Sequence, residues 1–525
     1  MEQILFPFTI LVMAPFLGRH SGRWTKGPIS VSGENLDQVI ADLSLSVEIA
    51  LPKDLSSNGF FTLPFRNRKD FLPEGILLSN DYLKSIFEAR QFVLEAPSKG
   101  RKHEEVVDRI KGWKDLPPLS FLDDRRESSA KEKSAIDEIL NMVSLPEDNA
   151  EKPRQMSGLV DQLDTALRRA LERIFQDDEF KVLEGTWAGL QFLLSRIGKG
   201  DSYGGVTVKI VPTSPEHLEE NIEEILPDLI REIPSLIVVD LPFKSSPRGI
   251  ALLEKLAGVA ETLLVPLLGW IGPDFFHVDS WHDVEKLSYL PHHFERPEFA
   301  TWQKLRESPA GRWIGITCNG FLERISYGAE NQKGPILFQE PGIPWRSPVW
   351  AVAALICRSQ LEVGWPSRFT EWRKFNLEDL ALQRISGKHS AATEVSFDEN
   401  RIDQMIASGL IPLASFKNKD IAFVLGDPTV SGSSLAFQLI LSRIVQFFIH
   451  CKESLGTDGS AADLEERLQS ALSRFWEATG HPAPKEIHLS VQKSEPAGPA
   501  SVMINIRPEP AVLPSGEVIE FHFDW

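Results

Sequence analysis

Cysteine is scarce. Cys318, Cys357 and Cys451 are the only three in 525 residues, and no two form a C-x-x-C pair. An odd, scattered set argues against a disulfide framework or a structural zinc site and fits a reducing cytoplasm. Basic charge is also in deficit: Lys+Arg number 56 against 74 Asp+Glu, a net charge of −18. Nucleic acids and anionic membranes select for basic surface, so neither is expected as a partner. No apolar run reaches the ~20 residues of a membrane-spanning helix, so no membrane insertion is expected. The apolar start MEQILFPFTILVMAPFLGRH carries Glu2, lacks a basic leader, is broken by Pro7 and Pro15, and has no A-x-A site after it. It reads as a buried strand and not as a signal peptide.

Catalytic signatures are missing in the same way. GDSYG (200–204) satisfies G-x-S-x-G, but helical sequence precedes Ser202 and strand sequence follows it. A nucleophile elbow needs the reverse order. GKGDSYGG narrowly misses G-x-G-x-x-G and stands before its strand, and GDPTVSGSS (426–434) lacks the lysine of a P-loop. No H-E-x-x-H spacing occurs. His292 and His293 are adjacent and point different ways, which leaves His277, Asp279 and His282 as a weak metal trio. Asp240 ends SLIVVDL, where α/β enzymes often place an acid. No cofactor is implied.

What remains is a large chain built for packing. Hydrophobic content of 42% and charged content of 25% are those of a globular protein, and the length implies several domains. Residues 1–115 read as a small α+β module. ILFPFTILVMAPF, SLSVEIALP and GFFTLPF are strands, followed by a helix through LPEGILLSNDYLKSIFEARQFVL. Residues 116–160 read as a linker. Its polar stretches 123–134 and 144–155 flank a short amphipathic helix, AIDEILNMV. An apolar helix isolated in polar sequence must find a surface elsewhere.

Residues 161–525 form the larger region. Leu163, Leu167, Leu171 and Ile174 make one helical stripe. VTVKIV, SLIVVDL and LLVPLLGWI are strands of the buried parallel type, separated by helical sequence, which implies right-handed β-α-β crossovers. The end alternates through EIHLSVQK, ASVMINIRP and VIEFHFDW. Ile519, Phe521, Phe523 and Trp525 share a face there, which makes the last run a candidate inter-protomer strand. The fold class is α/β: a small α+β N-terminal module joined to a larger α/β domain with a C-terminal β-rich segment.

One stretch asks for an explanation. FKVLEGTWAGLQFLL (180–194) has helical spacing, yet Gly185 and Gly189 sit within it beside Trp187. Each glycine costs about 1 kcal/mol against alanine in a helix. Close approach of another element would account for them.

DEFKVLEGTWAGLQFLL resembles the signature of the large contractile-sheath protein of type VI secretion systems. The resemblance continues in order through GPDFFHVDS (272–280), WQKLRESPAGRWIGIT (302–317), LERISYG (322–328), the tryptophan-rich stretch Trp345–Trp365, 393–420 and INIRP. ILVMAPFLGRH, 63–77 with its L-x-F-x-x-x-x-D-F-x-P spacing, and LKSIFEAR resemble the small sheath protein. The chain is therefore similar to a natural fusion of small (TssB-like) and large (TssC-like) subunits, with a sheath-type fold.

The resemblance implies a cytoplasmic structural subunit and no enzyme. Such a subunit self-assembles into a helical homo-oligomer around an inner tube protein, meets baseplate components, and contracts. It implies that Gly185, Trp187 and Gly189 serve packing of the sheath core. It also implies that Ile136, Asp137, Glu138, Ile139 and Leu140 form the helix read by a AAA+ recycling ATPase. The family's small subunit has an arm before its first strand that joins neighbours, and here the chain starts almost at that strand. A non-polymerising adaptor or cap is thus the alternative expectation, and an α/β enzyme using Asp240 or the His277–His293 region the lesser one.

Overall fold

A computed structural model of the chain describes residues 5–20, 22–50, 59–114, 116–117, 119, 148–198, 202–385, 389–455, 460–493 and 500–525. The strands in chain order are β1 (Phe8–Ala14), β2 (Ile29–Val31), β3 (Leu45–Ala50), β4 (Phe60–Phe65), β5 (Val206–Pro212), β6 (Leu236–Phe243), β7 (Leu267–Ile271) and β8 (Ile314–Cys318). They continue with β9 (Gln383–Ile385), β10 (His389–Ala391), β11 (Leu410–Pro412), β12 (Ala414–Ser415), β13 (Ala422–Phe423), β14 (Glu486–Lys493), β15 (Ala500–Arg507) and β16 (Ile519–Asp524). Packing divides the chain into two compact units. One comprises Met1–Asn35, Gly185–Ile325 and Pro344–Trp525; the other comprises Leu36–Glu184 and Ser326–Ile343.

The first unit is built on a seven-stranded sheet in the order β11-β8-β7-β6-β1-β5-β2. All pairings are parallel except that of the edge strand β2 with β5. Every residue of β1 is buried, as an interior strand covered on both faces requires. β1 lies between β5 and β6, with Val12 opposite both Ile210 and Val238. The residues expected to form one module at 1–115 are divided between the two packing units. A strand apolar on both sides cannot stop at a small half-buried hairpin, so residues 8–14 take the centre of a sheet whose other strands come from 206 onward. Residues 36–115 stay with the second unit.

The helix Pro348–Val363 packs on this sheet with thirteen of its residues buried. The helix Leu435–Leu455 is, among the described residues, the one long and apolar enough to cross a membrane, and most of it is buried inside the unit. β14, β15 and β16 form a separate antiparallel sheet in that order.

The second unit pairs β3 and β4 as an antiparallel hairpin with alternating burial. Its L-x-F-x-x-x-x-D-F-x-P stretch has a physical reading. Phe65 and Phe71 stack with centroids 4.3 Å apart. Asp70 accepts from the Arg66 and Asn67 amides at 2.6 and 3.1 Å. Pro73 opens the helix Pro73–Ser79. The single helix expected over 72–94 is two, because Asn80 leaves helical geometry and caps Asp81–Glu95 by accepting from the Tyr82 and Leu83 amides. The stripe Leu163, Leu167, Leu171 and Ile174 is fully buried on the helix Asp148–Gln176, and Arg90 pairs with Asp164.

Candidate functional site: the Gly189–Trp350–Asp240 packing node

The helix Asp178–Ile197 explains its glycines. A Cβ on Gly189 would lie 2.3 Å from Nε1 of Trp350 and 2.5 Å from its Cε2. The indole of a neighbouring helix therefore rests directly on the glycine backbone. At Gly185 the demand is milder, since a Cβ there would lie 3.4 Å from Arg346 Nη1. Trp187, two residues from each, donates from Nε1 to the Phe16 carbonyl at 3.1 Å and meets the Phe16 ring edge-on at 5.0 Å. Phe16 lies just past β1, so this contact ties the helix to the chain leaving the central strand.

The same edge of Trp350 is also hydrogen-bonded. Its Nε1 donates to Asp240 Oδ2 at 2.8 Å, and the Ser347 hydroxyl donates to Asp240 Oδ1. Ser347 is the N-cap of the helix Pro348–Val363, yet it spends its hydroxyl on Asp240 and not on the helix amides. Asp240 reaches this place through an irregularity. From Val238 to Pro242 β6 takes four steps while β7 takes two, Leu268 to Trp270. A bulge of this kind re-aims a side chain. Burial pushes the Asp240 carboxyl above its usual range, partly offset by Ser347, Trp350, Trp270 and the positive charge of Arg346. Arg346 is itself buried, 3.4 Å from Glu323, and its backbone exchanges two hydrogen bonds with Phe321. Asp240 thus works as a buried acceptor that seats a helix start, and both its oxygens are taken by packing partners.

The other candidates disperse. His277 accepts or donates at Ser245 Oγ, 2.9 Å away, and stacks on Phe299. His293 is buried against the Phe276 carbonyl at 3.2 Å, and burial holds its imidazole below the ordinary range. His282 and Asp279 are exposed. No group of three or more His, Cys, Asp or Glu among the described residues is arranged to hold a metal ion. The residue before Tyr203 opens a short 3-10 turn ahead of β5, which is not an elbow.

At the C-terminus, β16 pairs antiparallel with β15, from Ser501↔Asp524 to Ile506↔Ile519. Ile519 and Trp525 are buried, and Phe521 and Phe523 lie 6.0 and 5.5 Å from Phe448. The apolar face predicted from the alternation is thus used within the chain. The outer backbone edge of β16 pairs with no other strand among the described residues. Ile136, Asp137, Glu138, Ile139 and Leu140 lie outside the described residues.

Sequence reasoning missed Trp350, Ser347 and Arg346 as partners of the glycines. A tryptophan in a tryptophan-rich stretch and glycines 160 residues away carry no local signal of one another. It also missed Arg443, fully buried and donating to the Phe6 carbonyl at 2.9 Å.

Comparison with known proteins finds two family matches along the chain. Residues 1–111 match the family described as "Type VI secretion system, VipA, VC_A0107 or Hcp2". Residues 233–431 match that described as "EvpB/VC_A0108, tail sheath N-terminal domain". The type VI secretion system sheath protein TssC1 of Pseudomonas aeruginosa is 24% identical over 319 residues, 55% of this chain and 63% of that protein. The match therefore spans less than two thirds of the relative's length.

Among solved structures, the sheath tail protein of Desulfitobacterium hafniense aligns at 11% identity over 61% of this chain and 63% of that one, with a TM-score of 0.34. The contracted helical sheath of the anti-feeding prophage aligns at 12% identity over 64% and 77%, with a TM-score of 0.33. Likeness at these scores adds nothing further about this chain. The chain thus carries in one polypeptide a segment similar to the small type VI secretion sheath subunit and a segment similar to the large one.

Proposed function

We propose that the chain is a structural subunit of a contractile sheath in the cytoplasm, self-assembling around an inner tube and contracting to drive it outward. The observation that carries this reading is the order of the two family segments in one chain. Fusion fixes their ratio and turns association of the two parts into an intramolecular event at high effective concentration. Supporting it, the strongest catalytic candidate, Asp240, is consumed by packing. On this account Gly185, Trp187 and Gly189 keep the core rigid, and work is done by repacking surfaces between copies. The outer edge of β16 offers unpaired backbone groups for a strand from a neighbour. Baseplate components terminate the assembly, and a AAA+ ATPase recognises Ile136–Leu140 after contraction.

Negative-stain microscopy of the chain co-expressed with its tube protein tests this. Long hollow tubules are expected. A strictly monomeric particle at high concentration contradicts it.

A further inference from the structure

The chain carries a small basic and aromatic surface that its overall charge makes conspicuous. Trp372, Phe416 and Phe423 form a ring cluster with centroid separations of 5.4, 5.3 and 4.8 Å. Phe423 is buried, Trp372 is half-buried, and Phe416 is 43% exposed. Around the rings stand Arg373, Lys374, Lys417 and Lys419, all exposed. Arg373 lies over the Trp372 ring at 5.0 Å and Lys374 over Phe375 at 5.0 Å. Among the described residues none of the four makes an ion pair with a carboxylate. Other surface lysines of the unit, such as Lys255 and Lys209, do.

The turn that presents this surface is clamped. Asn418 sits in the left-handed region at φ 59°. Its amide donates to the Ser390 carbonyl at 2.7 Å, and its side-chain oxygen accepts from the Ser390 amide at 2.9 Å. The turn is thereby locked to β10, with Phe416 on the aromatic side. Lys417 instead lines a cleft of about 140 Å³, together with His282, His389, Ser390 and Ser396. Glu285 is the one carboxylate in that lining. A cation, two imidazoles and two hydroxyls around a carboxylate-sized space, beside an exposed ring, suit an acidic side chain followed by an apolar one.

We infer that the Trp372–Phe416 surface with the Lys417 cleft is a docking site for an acidic face of a second copy of this chain. This rests on the self-assembly reading above and names one surface of it. The choice of occupant follows from charge: the chain has 74 acidic against 56 basic residues, so another copy approaches with net negative surface, while on this patch Arg373, Lys374, Lys417 and Lys419 outnumber the exposed Glu378, Asp379 and Asp420 of the same segments. Complementarity of that kind speeds encounter and fixes register.

The test is sedimentation velocity of the full chain over a range of concentration and salt. Wild type is expected to associate at low salt and to weaken as salt rises. Lys417→Glu with Lys419→Glu, and separately Phe416→Ser, are expected to raise the concentration needed for association about tenfold or more. Lys417→Arg with Lys419→Arg should stay near wild type. All three positions are exposed, and unchanged thermal unfolding confirms intact folding. Wild-type association in the charge-reversed chain overturns the docking site and leaves self-assembly standing. A wild type that remains monomeric throughout overturns both. Charge-sensitive binding to single-stranded RNA with self-association unchanged also overturns the inference, in favour of a nucleic-acid surface.

Discussion

Replacing Gly189 by alanine isolates the packing claim. The new methyl would stand 2.3 Å from Trp350 Nε1, inside any tolerated contact, and Trp350 is 1% exposed with no free direction to yield. Helix propensity alone favours the substitution by about 1 kcal/mol. Overpacking costs about 1–3 kcal/mol. Pushing the indole off Asp240 leaves a buried acceptor short of a donor, at about 1–3 kcal/mol more. The balance is a loss of about 1–5 kcal/mol. Gly185→Ala is the internal control. Its methyl meets Arg346 Nη1 at 3.4 Å, an ordinary contact with a movable atom, so it should be neutral or stabilising by up to about 1 kcal/mol. Guanidinium unfolding followed by tryptophan fluorescence reads both. Trp350→Phe in the Gly189→Ala background should recover part of the loss, since the two sites are in contact. If Gly189→Ala is as stable as Gly185→Ala, the close approach does not explain the glycine and the reasoning fails.

Three further outcomes follow from the same structure. Burial raises the Glu394 carboxyl from 4.5 to about 7, against the opposing pull of the Gly320 amide and Trp281. Its stabilising contribution is therefore complete below pH 4.5 and lost as the pH rises through 7, about 3 kcal/mol in all. Glu394→Gln, uncharged throughout, should be the more stable protein at pH 8 and gain nothing at pH 4.5; equal pH profiles in denaturant would contradict this. Burial holds the Arg443 guanidinium down to about 9, and its Nε and Nη1 lack acceptors among the described residues. Arg443→Met should accordingly stay within about 1 kcal/mol of wild type or exceed it, while Arg443→Ala loses several times that; a large loss in the methionine variant would reveal a missing partner. Ile136→Asp with Ile139→Asp should leave unfolding unchanged and slow disassembly of contracted material by the AAA+ ATPase, and normal disassembly would remove that role from residues 136–140.

Much of the fold was legible because period and burial agree. β6 and β7 read as nearly continuous apolar runs and are mostly buried, while β5 is buried chiefly from Ile210 to Pro212. The Leu163–Ile174 stripe predicted a helix face that is buried. The L-x-F-x-x-x-x-D-F-x-P spacing is legible because its parts meet within a few residues. The sheet position of β1 was not legible, for a different reason. Apolar character says that Phe8–Ala14 is interior, but strand pairing over about 200 residues, such as Val12 with Ile210, leaves no local trace. The glycine question shows the same limit. The sequence could ask why Gly189 is small, but the answer, Trp350 seated on Asp240 by a bulge in β6, depends on three distant segments. Asp240 looked like an acid at a strand end, and only the Ser347 and Trp350 donors show what it holds.

The most direct measurement on the central claim is cryo-electron microscopy of the purified full-length chain alone at rising concentration. The account predicts copies joined side by side into rings or helical filaments, with the Gly189–Trp350–Asp240 node unchanged inside each copy. Single particles that never associate, in a preparation that binds neither tube nor baseplate protein, would contradict it.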